Sequence, residues 1–309
     1  MIKPKIFIDG KEGTTGLEIF ERLQNRNDIE LLLIDEALRK DTDERKRLMN
    51  ESDLVFLCLP DAAAIEAVSL IENDKTKVID ASTAHRTNPD WVYGFAEISA
   101  ENRIKIQKSK RVANPGCHAT GFISIVYPLI QMGLIDTSTL LNCFSITGYS
   151  GGGKSMIKAY TDEKTEAMKT ATLYKLDLNH KHIPEMMSVC HLEKKPLFVP
   201  ILEDAYKGMS TNIGLHVDQL LVPSSAKRIY QALKAYYQNS HFVSVSFMPE
   251  NQLLPTDFGF DSNKLEITVS GNESQILLSA RFDNLGKGAS GAAVQNMNLM
   301  LGLDEKTGL

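Results

Sequence analysis

Lys5-Ile6-Phe7-Ile8-Asp9-Gly10-Lys11-Glu12-Gly13-Thr14-Thr15-Gly16 reads as a short apolar strand running straight into a glycine-rich turn. A helix pattern follows over 15–24. Glycines at three-residue spacing let the backbone turn tightly, approach a pyrophosphate and pack the helix against the sheet, while the first helical N–H groups face the anion. The spacing is GxxGxxG, so the GxGxxG dinucleotide fingerprint is met only approximately. A glycine turn without ligand is the other reading, and the position directly after the first strand weighs against it. Gly10, Gly13, Thr14 and Gly16 are therefore candidate cofactor-binding residues.

Three further apolar runs follow at 30–35 (ELLLID), 54–59 (LVFLCL) and 77–81 (KVIDA). Unbroken runs of this length suit strands buried on both faces of a parallel sheet. With helix-like stretches between them, including 15–24 and 62–72, they predict βαβ units and an α/β, Rossmann-type doubly wound sheet. At the end of the second run, Asp35 sits where a carboxylate holds the ribose hydroxyls of NAD. Arg39 and Lys40 follow, a cation pair suited to the 2′-phosphate of NADP. A solvated charged loop is equally compatible with the sequence, and the pair leans towards NADP.

Beyond Arg111 the pattern changes. A helix-like run at 117–132 precedes a strand at 140–147 and a glycine cluster at 150–153. Strands are expected at 196–203, 211–220, 242–247, 265–270 and 275–282, with helices at 224–237 and 288–301. This predicts an α+β domain on a mostly antiparallel sheet, one face covered by helices and the other left for a partner subunit. The expected division is 1–115 for dinucleotide binding, completed by a carboxy-terminal helix over 285–309. Residues 116–284 then form a catalytic, substrate-binding and oligomerisation domain.

Composition bounds the function. The 309 residues carry 34 Lys+Arg against 39 Asp+Glu, a formal charge of −5, with 43% hydrophobic and 24% charged residues. A chain this apolar buries enough surface to offset its ordering entropy, which excludes disorder. Mild acidity argues against nucleic acid as the partner. Cys58, Cys117, Cys143 and Cys190 form no CxxC pair, so reduced thiols are expected. The longest apolar run, 121–135, contains Ser124, Pro128 and Gln131 and falls short of a membrane span. The amino terminus reaches Asp9 before a signal-peptide core forms, and a cytoplasmic protein is expected.

The most informative segment is Asn114-Pro115-Gly116-Cys117-His118-Ala119-Thr120. A turn ends at Cys117 and a helix starts there, placing the thiol in the positive end of the helix dipole, which favours the nucleophilic thiolate. A buried, inert cysteine is the ordinary alternative and fits the other three. The proton donor and acceptor that such a nucleophile needs are His180 and His182 by composition, in Leu178-Asn179-His180-Lys181-His182-Ile183-Pro184-Glu185. No third ligand cluster accompanies the HxH pair and Lys181 opposes a cation, so no metal is expected. His85, His191, His216 and His241 read as structural or surface residues.

These motifs, together with Asp80-Ala81-Ser82-Thr83-Ala84-His85-Arg86, the glycine loop over 148–154 and the closing stretch from Asn284 to Asn296, resemble the shorter form of the N-acetyl-γ-glutamyl-phosphate reductase family. That family is related to aspartate-semialdehyde dehydrogenase. The resemblance implies NADPH-dependent reduction of N-acetyl-L-glutamyl 5-phosphate to the 5-semialdehyde, in a homo-oligomer (dimer or tetramer). It assigns Cys117 as nucleophile and His180 as acid/base, with His182, Glu185, Ser82 and Gly151 near the substrate and Arg86 on its phosphate. Asn284, Gly286 and Gly288 match the stretch that returns to the nicotinamide. Physics alone leaves the two histidines unranked. The rivals are a semialdehyde dehydrogenase for aspartyl or aminoadipyl phosphate, and a non-catalytic NADP-binding sensor.

Overall fold

Strand β1 (Lys5–Asp9) organises the amino-terminal unit in the computed structural model, which describes residues 3–248 and 252–309. The glycine turn leads into α1 (Thr14–Leu23), followed by β2 (Glu30–Leu32), α2 (Thr42–Glu51), β3 (Leu54–Leu57), α3 (Asp61–Ser69) and β4 (Lys77–Asp80). Next come β5 (Val92–Tyr93), α4 (Ala100–Lys108) and β6 (Arg111–Ala113). The strands form one sheet in the order β2-β1-β3-β4-β6-β5, parallel throughout.

Alternation along the strands shows why the runs are unbroken. Ile6 and Ile8, with Leu54, Phe56 and Ile79, pack against Ile19 and Leu23 of α1 and against Ala293, Val294 and Met297 of the closing helix Gly291–Leu301. Phe7, with Val55, Leu57 and Val78, packs against Leu48 and Met49 of α2 and Ala67 of α3. Neighbouring residues thus serve opposite covered faces, so neither periodicity position tolerates a polar side chain.

The second apolar run departs from expectation. The strand stops at Leu32, and the Asp35 carboxylate accepts the Ala37 N–H at 2.8 Å to cap the short turn Glu36–Leu38. A short acidic side chain offers the backbone a local partner and ends the strand.

The second unit starts with α5 (Cys117–Gln131), β7 (Asn142–Gly148), α6 (Gly153–Asp162), β8 (Thr172–Leu173) and α7 (Ile183–Cys190). It continues through β9 (Leu197–Glu203), β10 (Met209–His216), α8 (Ala226–Tyr236), β11 (Val243–Phe247), β12 (Leu265–Gly271) and β13 (Gln275–Phe282). Its seven strands run in the order β11-β12-β13-β10-β7-β9-β8. The β11–β12 and β7–β9 pairs are parallel and the other four antiparallel. Helix α5 lies so close to β10 that a Cβ on Gly121 would stand 2.2 Å from the Thr211 Oγ1. Pro128 inside α5 lacks the N–H that would bond the Ser124 carbonyl, and the Tyr237 hydroxyl donates to that carbonyl at 2.8 Å instead. Phe144, Leu173, Leu197 and Leu277 are exposed on strands of this sheet.

By contacts the chain divides into residues 1–116 with 289–309, and residues 117–288. No helix among the described residues is long and apolar enough to cross a membrane.

Candidate active site

The nucleotide loop is shaped by close backbone approach. Gly10 has φ +84°, and a Cβ there would lie 2.4 Å from the Cys58 carbonyl oxygen; one on Gly16 would lie 2.5 Å from that of Gly10. Gly13 precedes α1 without a side-chain cap, and the first turn holds no acidic residue. The buried Thr14 hydroxyl has no hydrogen-bond partner among the described residues. Uncapped N–H groups and an unsatisfied hydroxyl are what a diphosphate requires, so the loop fits a dinucleotide. Asp9, ending β1, is tied to Arg45 of α2 at 2.7 Å, which anchors the loop's entry. Arg39 and Lys40 are exposed, and the nearest carboxylate to Arg39 is Glu36 at 3.9 Å.

The loop after β4 is braced by one carboxylate. Asp80 accepts the Ser82 N–H at 2.9 Å and hydroxyl at 2.7 Å, and faces His85 Nδ1 at 2.6 Å. His85 is buried and stacked on Trp91. Arg86 donates from Nε to the Asn114 carbonyl at 3.0 Å and from Nη2 to the Ala81 carbonyl at 3.1 Å. Asn114, which opens the cysteine turn, is held further by its side chain, donating to the Ala289 carbonyl at 2.9 Å. Asn296 donates to the Asn114 amide oxygen at 3.2 Å.

In the second unit, Cys117 is the first residue of α5, half-buried and in no disulfide. Burial pushes the Cys58, Cys143 and Cys190 thiols far above their ordinary range. His180, His182 and Glu185 are all buried. The His182 N–H donates to His180 Nδ1 at 3.1 Å, and the two rings meet edge to face with centroids 4.7 Å apart. His182 caps α7, with Pro184 and Glu185 in its first turn. Asn284 accepts the Gly208 N–H at 2.9 Å and donates to Ser150 at 3.0 Å, securing the turn that carries Gly151. Gly286 and Gly288 lie in a single turn of π-helix, Gly286–Ser290.

A third imidazole joins this group that sequence reading passed over. His118 packs 5.2 Å from the His180 ring and 5.7 Å from that of His182. Its Nδ1 lies 2.7 Å from Ser145 Oγ and its Nε2 3.0 Å from Tyr174 Oη. Burial, with His180 and Lys181 nearby, pushes its pKa down to about 3. Among the described residues no three metal-ligating side chains are gathered to hold an ion; both His118 nitrogens are taken by hydroxyls.

Residues 34–106 match the family model described as semialdehyde dehydrogenase, NAD binding domain, and residues 117–284 the one described as semialdehyde dehydrogenase, dimerisation domain. N-acetyl-gamma-glutamyl-phosphate reductase 2 of Nostoc sp. is 47% identical over all of both chains. That of Pseudomonas putida is 43% identical over 98% of each. Aspartate semialdehyde dehydrogenase II of Vibrio cholerae, solved with ASA, shares the fold at TM-score 0.76 and 14% identity, over 97% of this chain and 99% of that one. The loop geometry, the cysteine at the head of α5 and the full-length identity agree: this chain belongs to the N-acetyl-γ-glutamyl-phosphate reductase family of semialdehyde dehydrogenases.

Proposed function

We propose that the chain reduces N-acetyl-L-glutamyl 5-phosphate to N-acetyl-L-glutamate 5-semialdehyde and inorganic phosphate with NADPH, in arginine biosynthesis. The observation that carries this is the half-buried cysteine heading α5 in a chain 47% identical to a reductase of that name over its whole length. Gly10, Gly13, Thr14 and Gly16 hold the diphosphate of NADPH, Arg39 and Lys40 its 2′-phosphate, and Asn284, Gly286 and Gly288 border the nicotinamide. When bound, NADPH supplies the hydride.

Cys117 attacks the acyl carbon as a thiolate, favoured by the positive end of the helix dipole at the head of α5. A C–S bond forms, the C–O bond to phosphate breaks, and phosphate leaves with the electron pair, giving a thioester on Cys117. Arg86 and Ser82 hold that phosphate, while Gly151, His182 and Glu185 position the rest of the substrate. After reduction to the thiohemiacetal, the C–S bond breaks and the thiolate returns. His180 is the acid/base at the reacting oxygen: with Nδ1 accepting the His182 N–H, the ring proton sits on Nε2, the nitrogen that gives it to the oxygen of the thiohemiacetal and takes it back as the C–S bond breaks.

We place this chemistry in the cytoplasm and in a homo-oligomer, a dimer or tetramer. The four cysteines, none in a disulfide, support the first, and the exposed Phe144, Leu197 and Leu277 the second. The test is the reverse reaction: NADP⁺ reduction that requires both N-acetylglutamate semialdehyde and phosphate. Equal or greater turnover with aspartate semialdehyde overturns the substrate assignment.

A further inference from the structure

We propose that His118 is a positioning residue: its imidazole holds the Tyr174 hydroxyl so that the phenol proton is directed at the sulfur and oxygen atoms reacting at Cys117. This rests on Cys117 being the nucleophile. A chain of polar groups runs from Thr211 Oγ1 to Ser145 Oγ at 2.9 Å, then to His118 Nδ1 at 2.7 Å, and from His118 Nε2 to Tyr174 Oη at 3.0 Å. Thr211 and Ser145 are fully buried and His118 is 2% exposed. The rings of Phe198 and His180 pack against His118 at 5.3 and 5.2 Å. Only the Tyr174 end of this chain of contacts is partly exposed.

The imidazole is neutral, because burial holds its pKa far below working pH. It therefore carries a single N–H between two hydroxyl partners. If Nδ1 carries it, Ser145 accepts and the phenol proton is consumed on Nε2, so Tyr174 turns only lone pairs elsewhere. If Nε2 carries it, Tyr174 accepts, Ser145 donates to Nδ1, and the phenol proton points away from His118. The Tyr174 hydroxyl lies one hydrogen bond from His118, the residue that follows Cys117 at the head of α5, and burial, then charge on Cys117, raises the cost of ionising it, so the phenol stays protonated. An anion attracts an O–H and repels a lone pair, which selects the second arrangement.

The backbone is bent to this end. Between Tyr174 and His180, Lys175 and Leu178 adopt φ +53° and +55°, a region that residues with a Cβ seldom occupy. The Leu178 N–H closes the turn on the Lys175 carbonyl at 2.9 Å. This returns the chain so that the Tyr174 and His180 rings lie 6.0 Å apart, both against His118.

The test uses Tyr174→Phe, His118→Phe, their combination, and His118→Gln, which keeps a side-chain N–H. The first readout needs neither substrate nor NADPH: the pH midpoint of Cys117 alkylation by iodoacetamide, followed by peptide mass spectrometry. Among the described residues Tyr174, His180 and His182 pack against His118 and the charge of Lys181 acts on it, and of these only Tyr174 is altered. Tyr174→Phe and His118→Phe should each raise the midpoint by about one pH unit, the effect of one hydrogen bond to a charged group. The combined variant should go no higher than either, and His118→Gln should recover part of the shift. With the acyl phosphate, kcat should fall roughly ten- to a hundredfold in both Phe variants, with KM within about twofold. An unchanged midpoint in Tyr174→Phe, or additive shifts in the combined variant, overturns the proposal. Should His118→Phe not fold, Tyr174→Phe alone decides. Shifted midpoints in an enzyme inactive on N-acetylglutamyl phosphate overturn the substrate assignment and leave the positioning role standing.

Discussion

A Cβ added to Gly288 would stand 2.9 Å from the Cβ of Cys117, closer than side-chain carbons pack. Phe282 and the Asp283 carbonyl, at 3.3 and 3.4 Å, close the other sides of that space. The glycine in the closing stretch is thus a spacer for the thiol, independent of any cofactor contact. Gly288→Ala should lower kcat at least tenfold by displacing Cys117, since small misplacements at a reacting centre have large effects. Steady-state kinetics with a matched melting curve checks this, and unaltered kcat in a folded variant contradicts it.

Arg39→Ala combined with Lys40→Ala should weaken NADPH more than tenfold and NADH far less. Each charge-assisted contact to a phosphate contributes about 1.5–3 kcal/mol. Among the described residues only the Glu36 carboxylate lies near Arg39, at 3.9 Å, so no strong ion pair has to be broken first. Fluorescence titration with the two nucleotides decides; equal losses mean a solvated loop.

Arg86 is committed to two backbone carbonyls, those of Asn114 and Ala81. Arg86→Ala should therefore raise the KM for phosphate in the reverse reaction and also loosen the cysteine turn. Arg86→Lys should rescue little, because an ammonium cannot reproduce the planar fork. If the semialdehyde KM rises as much as that of phosphate, Arg86 is only a brace for the turn.

His118 makes a stability prediction with a definite sign. Its folded pKa lies near about 3 against an ordinary 6.5, so between these values the unfolded chain binds a proton that the folded chain does not. Stability therefore falls on acidification below about pH 6.5, by up to about 1.4 kcal/mol per pH unit, and this contribution levels off as the folded pKa is reached. Denaturant unfolding of His118→Gln should show a shallower acid limb than wild type, the difference growing from pH 6.5 downward. Parallel limbs contradict a neutral, buried His118.

How much of this was legible in the chain depends on the distance between partners. The β1, β3 and β4 runs are readable because both faces are covered, which forces every position to be apolar. β5 and β6, two and three residues long, are too short for periodicity to register. The strand expected over 211–220 ends at His216, whose N–H is taken by the Gln219 side chain at 2.8 Å as the chain turns. Cys117 stands out because Asn-Pro-Gly and a helix start are local signals. His118 does not, since its partners Ser145 and Tyr174 lie 27 and 56 residues away.

The most direct test of the central claim is intact-mass analysis after mixing the enzyme with N-acetyl-L-glutamyl 5-phosphate in the absence of NADPH. One N-acetylglutamyl group should appear on Cys117, one equivalent of phosphate should be released, and adding NADPH should discharge the adduct as aldehyde. Cys117→Ser should form no such adduct while still binding NADPH. Turnover without any adduct on Cys117, or an adduct that persists in the serine variant, contradicts the account.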